Sequence, residues 1–119
     1  MAARPDTRQF VQHTFREGDI ILRENDPGDC AYIIQSGEVE IFRGWGGARN
    51  VLAVIGPGGI FGEMALIDNK PRMASAMALR ATICLVVPVE VFHDRLEKSD
   101  PFIRALLRIL VNNIRSLTH

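Results

Sequence analysis

One stretch of the sequence combines residue types that could bind an anion. Gly62 allows a tight turn and a close approach of the backbone, because glycine has no side chain to block either. Residues 63–66 are good helix formers with room for about one turn. Pro71 then takes the chain out of the helix, and Arg72 follows it directly. The stretch from 59 to 75 reads GIFGEMALIDNKPRMAS.

The spacing within this stretch indicates a phosphate site next to a hydroxyl site. The first amides of a short helix lack partners within the helix, and an anion can accept their hydrogen bonds. Arg72, nine residues beyond Glu63, can return to the same place, and its planar fork suits two phosphate oxygens. Glu63 would repel an anion, but it could accept hydrogen bonds from a ligand hydroxyl. The residues therefore predict a ligand that carries both a phosphate and a sugar hydroxyl.

The same stretch resembles the phosphate-binding cassette of cyclic nucleotide-binding domains. The resemblance is carried by two blocks, residues 61–66 and 71–75, which are separated by a four-residue spacer. Together they form a long and specific pattern. The flanking glycines and strands extend the resemblance over residues 12–117. The predicted ligand-binding residues are Phe61, Gly62, Glu63, Met64, Ala65, Arg72, Met73, Ala74 and Ser75.

The resemblance implies a role for each part of the cassette. Arg72 would pair with the exocyclic oxygens of a cyclic phosphate, and amides around Ala65 and Met73 would help to hold them. Ser75, or a neighbouring amide, would add a donor, and Glu63 would accept from the ribose 2′-hydroxyl. The ligand would be a cyclic nucleotide, with no cofactor and no catalytic residue.

The nucleotide base is harder to assign. Met73 stands where family members that favour cGMP often carry a threonine, and a thioether donates no hydrogen bond, so cAMP is expected in preference to cGMP. The candidates for apolar base contacts are Val51, Leu52, Val54 and Met73. The candidates for a polar cap from the last helix are Arg108, Asn112 and Arg115. Leu66, besides packing in the core, is implied to couple closure of the cassette to movement of the C-terminal helices.

Short strands separated by glycine-rich turns must position this stretch. Strands are predicted at residues 10–15, 20–23, 30–35, 39–42, 51–55, 73–79 and 82–87. This pattern is typical of a roll or barrel. The expected fold is mainly β: an eight-stranded, jelly-roll-like antiparallel β-roll over residues 10–88, with a short cassette helix and two C-terminal helices. Residues 1–9 are expected to be a flexible segment, and residues 10–119 a single domain.

The two C-terminal helices are predicted from a change of period after Pro88. The first covers residues 89–97, and the second covers residues 101–117 with Asp100 as its cap. Apolar residues in the second helix form a face that is wider than a single contact surface requires. We therefore expect this helix to meet the roll on one side and either a ligand base or a partner subunit on the other.

Composition excludes several classes of protein. With 14 basic and 14 acidic residues, the chain has no overall charge that would attract nucleic acid. No apolar run is long enough to span a membrane, and no secretory signal precedes the domain. Cys30 and Cys84 lack metal-ligand spacing, which favours reduced cysteines in a cytoplasmic protein.

The expected function is a non-catalytic cyclic-nucleotide sensor, acting on an unidentified effector protein or a homodimer partner. A metal enzyme of the cupin type would need clustered histidines, which are absent from the sequence. A roll that has lost its ligand and serves only for interaction or dimerisation is the main alternative. The sequence stops directly after the long helix, and the helix that usually precedes the roll looks short or missing. Either the chain acts on a separate partner, or it is a fragment of something longer.

Overall fold

The computed structural model describes residues 10–117, and these form two antiparallel sheets followed by two helices. The expected flexible segment at residues 1–9 lies outside the described residues. The strands are β1 (Val11–Phe15), β2 (Ile20–Leu22), β3 (Cys30–Ser36), β4 (Val39–Arg43), β5 (Asn50–Ile55), β6 (Ile60–Phe61), β7 (Ser75–Ala78) and β8 (Thr82–Pro88). The helices are α1 (Met64–Asp68), α2 (Val89–Glu97) and α3 (Pro101–Leu117), and a short 3-10 turn covers Gly46–Ala48.

The eight strands confirm the predicted roll. One sheet has the order β1-β8-β3-β6 and the other the order β2-β7-β4-β5, so in each sheet a strand from the first four alternates with a strand from the last four. The two-residue strand β6 pairs with β3 through Tyr32 and Ile33. It leads directly into α1, and it therefore fixes the place where the cassette leaves the sheet.

The core lies between the two sheets and continues beneath the helices. Its centre consists of Ile34, Val39, Phe61, Ala76 and Cys84, all buried. A second cluster, formed by Ala31, Leu66 and Val87, packs with Phe92 of α2. This second cluster joins the cassette helix, the sheet and α2 into one packed unit.

The β4–β5 pair contains an irregularity that shapes the interior. Ile41 pairs with Ala53 and Phe42 pairs with Val51, which leaves Leu52 as an extra residue on β5. A bulge of this kind breaks the strict alternation of side chains between the two faces of a sheet. Leu52 and Ala53, although adjacent, consequently line the same cavity.

The long helix α3 begins as predicted and presents two different faces. Asp100 Oδ1 accepts a hydrogen bond from the Phe102 amide at 2.8 Å, which caps the first turn. Among the described residues of α3, Val111 alone is buried. The large apolar side chains of α3 that are more than a third exposed are Phe102, Ile103, Leu106, Ile109, Leu110, Ile114 and Leu117.

Candidate functional site

Arg72 is a buried cation held in place by main-chain oxygens. Only 6% of the residue is exposed. Its Nη1 donates to the Gly62 carbonyl at 2.9 Å and its Nη2 donates to the Cys30 carbonyl at 2.8 Å. Nη2 also lies 3.8 Å from a carboxylate oxygen of Asp29, whose side chain is 89% exposed. The fork is therefore fixed by the fold before any ligand arrives.

The turn between β2 and β3 holds the backbone of Arg72. The Arg72 amide donates to the Asp26 carbonyl at 2.8 Å, and the Asn25 amide donates to the Arg72 carbonyl at 2.9 Å. Residues 25 and 26 are thereby paired with Arg72 through backbone hydrogen bonds like those between two strands. This pairing fixes the backbone from which the guanidinium reaches the Gly62 carbonyl, one residue before the N-cap of α1.

Gly62 is required where the cassette turns. Its φ of 80° lies in the left-handed region, and a Cβ at this position would stand 2.8 Å from Arg72 Nη1. Any larger residue would strain the turn and displace the guanidinium. The sequence predicted a close backbone approach here, and Arg72 is the group that approaches.

The first turn of α1 lies beside Arg72. Glu63 occupies the N-cap position, and its carbonyl accepts from the Leu66 and Ile67 amides at 3.0 and 3.1 Å. The amides of Met64 and Ala65 precede the first intrahelical bond, so they are available to an outside acceptor. Glu63, Met64 and Ala65 all line the cavity described next.

A cavity of about 410 Å³ opens in front of these groups. It lies between β5, the cassette and α3, and its wall is mainly apolar. Its lining residues are Leu22, Ile41, Leu52, Ala53, Ile55, Ile60, Phe61, Gly62, Glu63, Met64, Ala65, Arg72, Met73, Ala74 and Ile114. An apolar cavity with a few convergent polar groups is the usual form of a small-molecule site.

Glu63 is the acidic group within this apolar wall. Burial raises the pKa of its carboxyl, while a backbone hydrogen bond and the charge of Arg72 act in the opposite direction. A carboxylate in this position gains more from hydroxyl donors than it would in water, because its own hydration is incomplete.

Eight of the nine predicted ligand residues line the cavity, and Ser75 does not. Ser75 is 1% exposed, and its hydroxyl accepts a hydrogen bond from the Glu24 amide at 2.9 Å. Its position therefore gives the hydroxyl a structural partner. The role of Ser75, or of a neighbouring amide, as a donor to the ligand stays a prediction.

The apolar wall of the cavity combines residues that the sequence predicted with residues that it did not. Leu52 and Met73 line the cavity, whereas Val51 and Val54 are more than half exposed and are absent from its lining. The residues that sequence reasoning missed are Leu22, Ile41, Ala53, Ile55, Ile60 and Ile114. Alternation along β2 and β4 is the signal that could have identified Leu22 and Ile41, but the bulge at Leu52 hides the pattern in β5.

The three candidates for a polar cap lie on α3 and differ in their surroundings. Asn112 and Arg115 line a second, polar cavity of about 280 Å³, which shares Arg72 and Met73 with the first. Arg115 forms an ion pair with Asp68 at the end of α1. Arg108 is exposed and lines neither cavity. A polar cap from one of these three residues stays a prediction.

Leu66 connects the cassette to the helices in two ways. Its side chain is 1% exposed and packs in the cluster that includes Phe92. Its carbonyl oxygen lies 2.8 Å from His93 Nε2, which donates to it. The end of the cassette and α2 are therefore joined by both packing and a hydrogen bond.

The described residues contain neither a cluster of metal ligands nor a helix that could span a membrane. Across residues 10–117, no group of three or more histidine, cysteine, aspartate and glutamate side chains is placed to share a metal ion. Within the same range, no helix has the length and apolar character needed to cross a membrane.

The fold and this site define a class of protein, and comparison with known families identifies it. The family model described as the cyclic nucleotide-binding domain matches residues 12–99. The chain belongs to the cyclic nucleotide-binding domain family.

Individual relatives agree with this membership. The chain is 39% identical to the cyclic AMP receptor protein of Thermus thermophilus over 79 residues, which cover 66% of this chain and 37% of the relative. It is 31% identical to a CRP-like cAMP-activated global transcriptional regulator of Mycobacterium tuberculosis over 110 residues, which cover 92% of this chain and 49% of the relative. The chain thus spans less than half the length of these two relatives.

A solved structure shows the same fold. The cAMP-bound form of the EAL enzyme Bd1971 superposes with a TM-score of 0.84 at 37% identity, covering 90% of this chain and 29% of that one. Its cGMP-bound form superposes with a TM-score of 0.85 over 91% of this chain. The matched part is therefore a domain of a much longer protein.

Proposed function

We propose that this domain is a non-catalytic sensor that binds cAMP in preference to cGMP. The observation that carries the proposal is the convergence of Arg72, the first amides of α1 and Glu63 on one apolar cavity of about 410 Å³. A cyclic nucleotide has a group for each part of this site: a phosphate for Arg72 and the amides, a ribose hydroxyl for Glu63, and an apolar base face for the cavity wall. Both curated relatives have cAMP or cyclic AMP in their names.

Each polar group has a matching part of the ligand. Arg72 and the amides of Met64 and Ala65 face the phosphate, and Glu63 accepts from the ribose 2′-hydroxyl. Losing the charged acceptor at Glu63 weakens binding by roughly ten- to a hundredfold. Losing Arg72 weakens it further, because the same substitution leaves the Gly62 and Cys30 carbonyls without their donor.

The preference for cAMP rests on Met73. This side chain lines the cavity, and its thioether has no hydrogen to donate to guanine. The solved structures of Bd1971 include both a cAMP-bound and a cGMP-bound form, so the fold itself admits either base. The two nucleotides should therefore compete for one site with unequal affinity.

Thermal unfolding with added nucleotide tests the proposal. At 100 times its dissociation constant, a ligand adds about 2.7 kcal/mol to the free energy of unfolding. We expect cAMP to raise the melting temperature most, cGMP less and linear AMP least. An unchanged melting temperature with every cyclic nucleotide would favour a roll that serves only for interaction.

Calorimetric titration of cAMP into two variants tests the division of roles. We expect Glu63→Ala to weaken binding and Arg72→Ala to weaken it more. Glu97→Ala, an exposed acid outside both cavities, is the control and should bind like the wild type. The reverse order of the two site variants would contradict the roles given to them.

We also propose that binding is coupled to the C-terminal helices. Leu66 belongs to the cluster against which Phe92 packs, and His93 donates to the Leu66 carbonyl. Closure of the cassette on a phosphate would therefore displace groups that contact α2. Such coupling requires that the ligand bind two packed states unequally. Hydrogen exchange over residues 89–117 should slow when cAMP is added, and unchanged protection would contradict the coupling.

A further inference from the structure

We propose that Asp68 and Arg115 are a pair of positioning residues that hold α3 against the cassette. In doing so they keep Ile114, the neighbour of Arg115, in the wall of the ligand cavity. The part of this inference that concerns ligand residence rests on the proposed function. The part that concerns docking of α3 stands without it.

The geometry of the pair is that of a fork on a carboxylate. Arg115 Nε contacts Asp68 Oδ2, and Arg115 Nη2 donates to Asp68 Oδ1 at 3.1 Å. The two side chains are only 12% and 16% exposed. A two-point contact that is largely shielded from water is both more directional and less screened by salt than a surface ion pair.

Asp68 is itself fixed with respect to the phosphate site. It is the last residue of α1, and its Oδ1 also accepts from the Lys70 amide at 3.1 Å. Asn69 between them has a φ of 57°, which ends the helix. A carboxylate at the C-terminus of a helix is disfavoured by the helix dipole, and a cation on the carboxylate offsets this.

The rest of α3 is attached to the domain by a small contact surface. Val111 is its one buried residue in the described range, and Ile114 is 43% exposed although it lines the cavity. At the other end of the helix, Arg104 Nη1 donates to the Glu97 carbonyl of α2. The ion pair therefore acts on the half of α3 that covers the cavity, one residue away from the side chain that forms its wall.

The consequence is a defined effect on the ligand. Ile114 belongs to the wall of the cavity, so a displacement of the C-terminal half of α3 uncovers part of the ligand. Loosening the C-terminal half of α3 raises the population of the open state, and the ligand dissociates faster from that state. Removing the ion pair should change the dissociation rate of the ligand more than its association rate, because mutational effects on affinity are mostly effects on the dissociation rate.

The experiment begins with the ligand-free protein. Hydrogen exchange over residues 105–117 is compared among the wild type, Arg115→Gln, Asp68→Asn and the double variant. Arg108→Gln is the matched control, because Arg108 is an exposed arginine of the same helix that lines neither cavity. We expect faster exchange in the first three variants and wild-type exchange in the control.

The second measurement is the dissociation rate of a fluorescent cAMP analogue. We expect Arg115→Gln and Asp68→Asn each to raise it by about tenfold. The double variant should be no faster than either single one, and Arg115→Lys should recover part of the effect. The melting temperature of the ligand-free variants shows that each remains folded.

The outcomes separate the two parts of the inference. Equal exchange in Arg115→Gln and Arg108→Gln would overturn the pair as the contact that holds α3. Single effects that simply add in the double variant would also overturn it, because independent residues add and a pair does not. If the wild type binds no cyclic nucleotide, the proposed function fails while the exchange data still decide the docking of α3.

Discussion

Glu63 is an acid in a wall of apolar side chains, and its titration connects the site to the stability of the fold. Burial raises the pKa of its carboxyl above the ordinary value of 4.5. The folded state therefore binds this proton more tightly than the unfolded state does. The stability associated with the protonated form is present below pH 4.5 and is lost as the pH rises through the folded-state pKa.

Replacing Glu63 with glutamine removes this pH-dependent loss of stability, because an amide does not titrate. We expect Glu63→Gln to melt at a higher temperature than the wild type at pH 7, with the difference shrinking toward pH 4. Melting curves of the ligand-free proteins between pH 4 and pH 8 measure it, with exposed Glu97→Gln as the control. A difference that stays constant over this range would contradict the raised pKa.

For single residues, the sequence predicted which side chains form the site but not the hydrogen-bond partners that hold those side chains in place. The spacing of Gly62, Glu63 and Arg72 was enough to predict a phosphate site beside an acceptor. It could not identify Cys30 as the source of the second carbonyl for Arg72, because that contact joins residues 42 apart in the sequence. Long-range partners of this kind depend on how the sheets pack.

Among the elements, the turn before β3 and the helix α1 are in close contact. A Cβ on Gly28 would stand 2.6 Å from the Ala65 Cβ and 3.6 Å from Leu66 Cδ2. The missing side chain at Gly28 therefore sets how close α1 lies to the sheet. The position of α1 in turn sets the positions of the first-turn amides that line the cavity.

We expect Gly28→Ala to destabilise the fold by about 1–3 kcal/mol, the usual cost of overpacking, and to weaken cAMP binding as α1 is displaced. Gly47→Ala is the matched control, since a Cβ there meets nothing within 4 Å and its φ is not positive. Urea unfolding and calorimetric titration measure the two effects. Wild-type binding by Gly28→Ala would show that α1 can shift without disturbing the site.

Elements with a clear period were predictable, and those shaped by pairing were not. The helices α2 and α3 were predicted with the bounds that the structure has, because their apolar spacing and the Asp100 cap are local signals. The strand β6 was missed, since two residues are too few to show alternation. The bulge at Leu52 depends on the register with β4, which no single strand reveals.

On the scale of the whole molecule, the solvent-facing side of α3 is apolar. Phe102, Leu106 and Ile109 follow one another at intervals of four and three residues, which is the spacing of a helix–helix seam. Asn113 continues that spacing, and a single polar residue in a seam fixes register between two helices. The three arginines of α3 lie on the opposite side of the helix, so two such faces would meet without opposing charges.

We propose a second copy of this chain as the partner for that face. Ile109→Glu should convert the dimer to a monomer because it places two acids in the seam, whereas Arg108→Glu on the other side should not. Sedimentation velocity over a range of protein concentrations measures the association. A wild type that stays monomeric at the highest concentration would contradict the proposal and leave a different effector as the partner.

The hydrogen bonds from Arg72 to two backbone carbonyls also affect the conformational entropy that is lost when a ligand binds. An arginine free in solution loses much rotational freedom when it clamps a phosphate. Here Gly62 and Cys30 have already taken that freedom during folding, at distances of 2.9 and 2.8 Å. In the proposed binding mode a ligand meets a rigid fork, and we expect the ordering that accompanies binding to fall on the helices beside the cavity.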